Sequence, residues 1–388
     1  MNNQSFSARR LVLGAVLLLA LTASACAPVR TGTAWADISI FGDQQNIFVA
    51  YNDQLDLVDV SDGERAVLLD AEGNQRRQEG ELLRWNLRDS ENNLQFFSTP
   101  VPLDEDTLLV ADYNNRLWRI NLEAARIDNP SNVVLPGHIV ADVTVEGDTV
   151  FVPLSERNLM ALNLDDFSTR WMFETERGVW SKPLVLDGVV YFTSMDHHFY
   201  AVDAESGEEV WRLDLQGASA AAPLYDAEGD RFFVGSFARR LFEVSRSGEI
   251  VSEYETEDWV WNTPVLADGY LYTADLSGYV YALSTFDGGL TEVWKTRATG
   301  AGIRPAPAVA EDVVVVAARN GRVVWLERDS GATIFERNVE SEVLSDILLI
   351  EAGETVTEPL VVVSTVSQSR MLVAFILESG EEFWTFRR

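Results

Sequence analysis

Apolar residues along this chain fall into short runs, almost none at helical spacing. Between Gly178 and Leu213 there are four: Leu184–Leu186, Val189–Thr193 after the Asp187-Gly188 turn, Phe199–Val202, and Val210–Leu213 after Ser206-Gly207. Each is rich in Val, Tyr, Phe or Trp and bounded by Gly, Asp or Ser, the signals of strands joined by tight turns. Four strands in so short a span predict one antiparallel meander. A lone sheet of this size cannot bury two apolar faces, so it needs copies of itself to pack on.

The copies recur at a period of about 40 residues. With Pro183 as phase marker, Pro223, Pro264 and Pro307 follow, and Asp142 and Pro100 hold the same place upstream. After each marker come an apolar run, a turn, a strand, a second turn and a strand ending in strings such as Met160-Ala161-Leu162 or Tyr281-Ala282-Leu283. Gly207-Glu208-x-x-Trp211 and Gly380-Glu381-x-x-Trp384 close two copies, and Trp171 and Trp294 hold that place in others. Four strands per repeat at this period predict an all-β chain, an eight-bladed β-propeller of four-stranded antiparallel blades. The blades read as 37–88, 95–128, 138–174, 178–213, 217–255, 258–296, 300–337 and 343–386. The first holds Ile38–Phe41, Asn46–Tyr51 and Leu55–Val60, then a polar insertion at 62–80 expected to form a mobile loop, then a fourth strand in Leu82–Leu87 with Trp85. The last blade ends on a fourth strand, so the ring should close by packing blade 8 on blade 1 without a shared strand. Glu123-Ala124-Ala125-Arg126 is the one helix-like string, and it falls where a fourth strand is due.

This pattern resembles the PQQ-like propeller repeat. The likeness is specific over Gly178–Leu213 and Trp261–Trp294 and loose before residue 95. No Trp-Asp dipeptide of the WD40 kind occurs. The resemblance implies one of two roles. Quinoprotein dehydrogenases of this kind need an Asp base and a Ca²⁺ site of Glu, Asn and Asp around the quinone. The other branch is made of non-catalytic lipoproteins, among them the propeller lipoprotein of the outer-membrane β-barrel assembly machine. Cys26 is the single cysteine, which removes the vicinal Cys pair of the large quinoprotein alcohol dehydrogenases, any intrachain disulfide and any haem attachment. No Ser-His-Asp order, metal-spaced His cluster or phosphate loop appears. The expectation is a scaffold that is not an enzyme and holds no metal or cofactor, PQQ and Ca²⁺ entering only under the quinoprotein alternative. A carbohydrate- or peptide-binding propeller is the other alternative.

Residues 1–25 have an export signal's layout: Arg9-Arg10, the apolar run Leu11–Leu21, and small residues before Cys26. The run is shorter than the 20 or so residues of a membrane span. Ala23-Ser24-Ala25-Cys26 resembles a bacterial lipobox with Ala23 in place of the usual Leu, so Cys26 is the expected lipidation site, followed by a tether at 27–36. The alternative is ordinary cleavage that leaves a free thiol. The partners expected are proteins of the cell envelope, with membrane contact through the anchor only and a monomeric ring.

Charge changes the picture on one face. The net charge is -31, with Lys182 and Lys295 the only lysines, which argues against nucleic-acid binding. Yet the hairpins joining second and third strands, all on one face, carry Arg116, Arg157, Arg239, Arg240, Arg319, Arg322 and Arg370, with His197 and His198. These are the candidate rim for an anionic partner, since the Arg fork suits carboxylate or phosphate. The plain alternative pairs each Arg with a nearby acid. The lead-in segments on the same face bring Phe97, Trp180, Trp259 and Trp261, candidate binding aromatics or inter-blade packing.

Overall fold

The computed structural model describes residues 37–388 apart from 42–44, 69–74, 79–80, 83, 89–93, 97, 105, 131–132 and 287. Eight four-stranded antiparallel sheets follow one another along the chain, each in simple meander order. In blade 4, Leu184–Leu186 pairs with Val189–Thr193, which pairs with His198–Asp203, which pairs with Glu209–Asp214. Tyr191, Ala201 and Trp211 face one another across that sheet. The middle strands are buried almost throughout, and Thr149–Leu154 of blade 3 is buried at all six positions. They lie between two neighbouring blades, so both faces meet apolar surface and the period-2 alternation disappears. Alternation returns in the outer strands, such as Glu209–Asp214.

The expected closure without a shared strand is present. Ile38, Ile47, Val49 and Val58 of blade 1 form one core with Leu360, Val362, Leu372 and Trp384 of blade 8. Trp384 Nε1 donates to Val60 O at 2.7 Å, and Arg388 Nη2 reaches Asp53 Oδ1 at 2.8 Å. The same tryptophan bond links other neighbours: Trp85 to Leu122 O, Trp171 to Ala204 O, Trp211 to Arg246 O and Trp294 to Arg328 O, at 2.6–3.1 Å. This explains the Gly-Glu-x-x-Trp string. Gly207 has φ +75°, and a Cβ there would lie 2.7 Å from the Trp171 ring. The glycine is the seat for the preceding blade's indole.

Three expectations need correction. By register Thr144 pairs with Phe151 as Leu184 pairs with Tyr191, so Val143, not Asp142, is the counterpart of Pro183. The outer strand of blade 1 is Asn86–Arg88 rather than Leu82–Leu87. Within the 62–80 insertion, Arg77–Gln78 pairs with Glu81–Leu82, Ala66 and Leu68 pack on the core of blades 1 and 2, and Arg76 Nη1 donates to Glu123 O. The described part of that insertion is therefore built structure, not a loose loop. Glu123-Ala124-Ala125 is a turn leading into the outer strand Arg126–Pro130. A single 3-10 turn, Gln368–Arg370, is the only helix among the described residues.

In blades 2 to 8 the outer strand carries a bulge at one fixed place. The residue left out of register is Asp128, Arg170, Val210, Val251, Val293, Ile334 or Phe383. All seven are exposed.

Candidate functional site

Meander order puts every hairpin between second and third strands on one face, together with the links from blade to blade. In blades 2 to 7 the residue just before the third strand adopts a left-handed backbone: Asn115 (φ 68°), Arg157 (80°), His197 (80°), Arg239 (61°), Gly278 (89°) and Gly321 (79°). The turn demands it. That residue's carbonyl accepts the N–H of a residue at the end of the outer strand, for example Thr175 N to Arg157 O at 2.9 Å and Leu215 N to His197 O at 2.7 Å. Glycine adopts this conformation freely, whereas other L-residues give up roughly 1–2 kcal/mol.

A buried carboxylate fixes the hairpin. In blade 6, Asp275 Oδ1 accepts the N–H groups of Ser277 and Tyr279, and Oδ2 accepts Asp258 N and the Tyr281 hydroxyl, the last at 2.6 Å. In blade 4 the register puts Ser194 in the place of Asp275 and Asp196 in that of Ser277. Asp196 Oδ2 nevertheless accepts Glu176 N and the Tyr200 hydroxyl, both at 2.9 Å. Asp112 serves blade 2 through Trp118 Nε1. Burial and the adjacent carboxylate raise both tyrosine hydroxyls well above their ordinary range.

The rim arginines are mostly paired. Arg239 lies 3.6 Å from Glu255, Arg319 3.6 Å from Glu342, Arg322 3.1 Å from Glu336 and Arg370 2.7 Å from Glu382, and Arg240 pairs with Glu253. Pairs this exposed contribute about 0–1 kcal/mol. Arg116 lies over the Trp118 ring at 5.7 Å. His198 Nδ1 faces Asp196 O at 3.0 Å. Arg157 and His197 are exposed, with no carboxylate in ion-pair reach among the described residues. The rim is thus a mixed-charge surface with free polar heads on blades 3 and 4.

The aromatics are placed as a group on that face. Phe237 stacks between Trp259 (4.9 Å) and Trp261 (5.2 Å), and the Arg304 guanidinium lies 4.4 Å over Trp261. Trp259 is 46% and Trp180 39% exposed. Phe97 lies outside the described residues, as do Cys26 and the tether.

Trp180, Trp261 and Arg304 line the central channel, a cavity of about 450 Å³. Asp37, Asp142, Lys182 and Asp346 line the same cavity. Asp142 Oδ1 accepts Thr99 N and Asp346 Oδ1 accepts Ala306 N, each at 2.7 Å across a blade boundary. Enclosure, then the charges of Asp142 and Asp346, push the Asp37 carboxyl well above its usual range. Asp346 keeps a wetted side, yet enclosure and Asp142 raise it too, against the pull of Ala306 N and Arg304. Burial lowers Arg304, with Asp37 and Asp346 opposing. The pattern reading missed this cluster and Phe237. The visible signal was an acid where two other copies have alanine, Asp142 and Asp346 against Ala222 and Ala306. No cluster of three His, Cys, Asp or Glu among the described residues has metal-binding geometry.

A family model described as outer membrane protein assembly factor BamB matches residues 105–258 and 278–388. The BamB of Yersinia pestis is 27% identical over 148 residues, 38% of this chain and 36% of that one. The quinoprotein alcohol dehydrogenase PedH of Pseudomonas putida is 26% identical over 167 residues, 39% of this chain and 27% of that one. The chain thus aligns with about a third of the length of these relatives. The crystal structure of BamB from Moraxella catarrhalis superposes with a TM-score of 0.65 at 15% identity, covering 87% of this chain and 92% of that one. The repeat grammar, the closed eight-bladed ring and a family match over more than half of the sequence agree: the chain belongs to the BamB family of PQQ-like propellers.

Proposed function

We propose that this chain is an exported, lipid-anchored propeller that catalyses no reaction and serves as a protein-interaction scaffold in outer-membrane protein assembly, docking a partner on its rim face. The observation that carries the reading is the arc of blades 3 to 5. There Arg157, His197 and Arg239 hold left-handed positions that blades 6 and 7 give to Gly278 and Gly321. Backbone strain accepted next to exposed aromatics marks a surface kept for contact. Membership of a family described as an assembly factor supports the same role, and a closed ring suits a monomeric body.

The quinoprotein relatives raise the alternative of PQQ with Ca²⁺. The channel's donors do not suit it. A tricarboxylate quinone would meet Asp37, Asp142 and Asp346 with only Lys182 and Arg304 in opposition, and Trp261 already stacks on Phe237 and Arg304.

The test is capture from envelope membranes by the anchored chain. Arg157→Glu with His197→Glu and Trp259→Ala should cut recovery of an assembly partner at least tenfold with the fold intact. Undiminished capture would overturn the rim reading. Cys26→Ser should release the protein from the membrane fraction and remove the lipid mass; unchanged fractionation would overturn the anchor.

A further inference from the structure

We infer that the open face of Trp259 is the seat for an arginine side chain of the protein that docks on the rim. This rests on the rim-docking proposal and names what the partner must present. The indole is an addition to the repeat. One backbone bond marks its position in four blades: Met195 N donates to Gly178 O, Phe237 N to Ala218 O, Leu276 N to Trp259 O and Arg319 N to Gly302 O. Blades 4, 5 and 7 thus fill the place with glycine or alanine. A Cβ on Gly178 would stand 2.4 Å from Ser155 O, and one on Gly302 2.7 Å from Leu276 O. Packing of the ring asks for no side chain here, yet blade 6 carries an indole that is 46% exposed. An exposed Trp that the fold does not need is the usual anchor of an interface.

The geometry around Trp259 selects the occupant. Trp259, Phe237 and Trp261 form one column, with rings 4.9 and 5.2 Å apart at 9° and 21°, and the Arg304 guanidinium closes its far end 4.4 Å over Trp261. The near end is bare. Phe237 covers one face of Trp259, and no ring or cation covers the other among the described residues. The face of an aromatic ring attracts a cation, and here one end of the column has one and the other does not. Of the two basic side chains, arginine has the flat head that lies along an indole. Charge beside the column agrees. Asp258 Oδ1 accepts Trp259 N at 2.8 Å, and Asp258 forms no ion pair among the described residues. Arg239 and Lys295 are already engaged, by Glu255 at 3.6 Å and Glu257 at 2.7 Å. An anion gains nothing from the indole face, and a sugar ring stacked there leaves Asp258 unpaired.

The test has two arms, both on the full chain. In the first, all eleven tryptophans are replaced by 5-fluorotryptophan, and the Trp259 fluorine signal is assigned by its loss in Trp259→Phe. Arginine amide should move that signal saturably, at least three times further than citrulline amide or methyl glucoside at equal concentration. The signal of Trp171, packed on Gly207, should stay in place. In the second arm, Trp259→benzoylphenylalanine is irradiated in envelope membranes and the adduct is mapped by mass spectrometry. The cross-link should fall beside an arginine of the partner. Trp259→Leu should cut capture about fivefold, and Trp259→Phe, which keeps an aromatic face, less than twofold. Both should melt with the parent chain, because three other blades hold the position without a large side chain. Equal movement by citrulline amide or the glucoside would overturn the site. So would no adduct, an adduct on a glycan or on a segment without arginine, or equal capture by the Leu and Phe variants. The two proposals fail separately. Full capture by the triple rim variant strikes the rim reading, whereas lost capture there with any of these results leaves the rim standing and strikes the arginine.

Discussion

The hairpins of blades 3 to 5 and those of blades 6 and 7 have the same backbone and opposite residue choices. Arg157, His197 and Arg239 sit at φ 61–80°, Gly278 and Gly321 at 89° and 79°, and each offers its carbonyl to a residue at the end of the outer strand. The difference lies in what passes overhead. A Cβ on Gly278 would stand 2.3 Å from Thr299 O, and one on Gly321 2.8 Å from Ser341 O. Where the link to the next blade crosses close by, only glycine fits. Blades 3 to 5 leave room for long side chains at the same φ. Having room does not remove the strain, so these residues give up stability that glycine would supply.

That contrast is open to direct attack. The largest effect should come from Gly278→Val, which adds left-handed strain and a clash with backbone; we expect a loss of about 4 kcal/mol by denaturant unfolding. A loss under 1 kcal/mol would show that the overhead link yields. Asp275→Ala should cost about 3 kcal/mol, because it strands three N–H groups and the Tyr281 hydroxyl. Asp196→Ala, which serves fewer partners, should cost less. Next, Arg157→Gly, His197→Gly and Arg239→Gly should each stabilise by about 1 kcal/mol while weakening partner capture. Stabilisation with full capture would leave the strain unexplained by function.

The smallest effect concerns the channel on the same face. Asp37 and Asp346 have raised carboxyl pKa values when folded, so the stability linked to their protons is complete below the ordinary carboxylate value and is lost as pH rises through the folded one. Asp142, Lys182 and Arg304 face the same space. The melting temperature should therefore decline less between pH 5 and 8 in Asp346→Asn than in the parent chain. An unchanged pH profile would show that channel water screens these groups fully.

Much of the architecture was legible because each blade repeats its own grammar. Pro183, the Asp187-Gly188 turn and Trp211 speak for strand lead-in, turn and outer strand in turn. Reading failed where a residue's neighbour lies in another blade. Asp142 sat one step from Val143, the true counterpart of Pro183, and only the ring brings it towards Asp346, more than half the chain away. The rim arginines were visible as a set, but pairs such as Arg322 with Glu336 depend on cross-strand geometry. Phe237 gave no signal alone, since its meaning lies in the two indoles around it.

The bulges of the outer strands bear on the company such a molecule keeps. An outermost strand is a template on which any extended chain could add itself by main-chain bonds. From Asp128 to Phe383 the template is broken at the same rung in seven successive blades. A passing strand that tried to zip onto the circumference would lose register part-way along. On these blades the circumference of the ring is a poor partner for an added strand, whatever extended chains surround it.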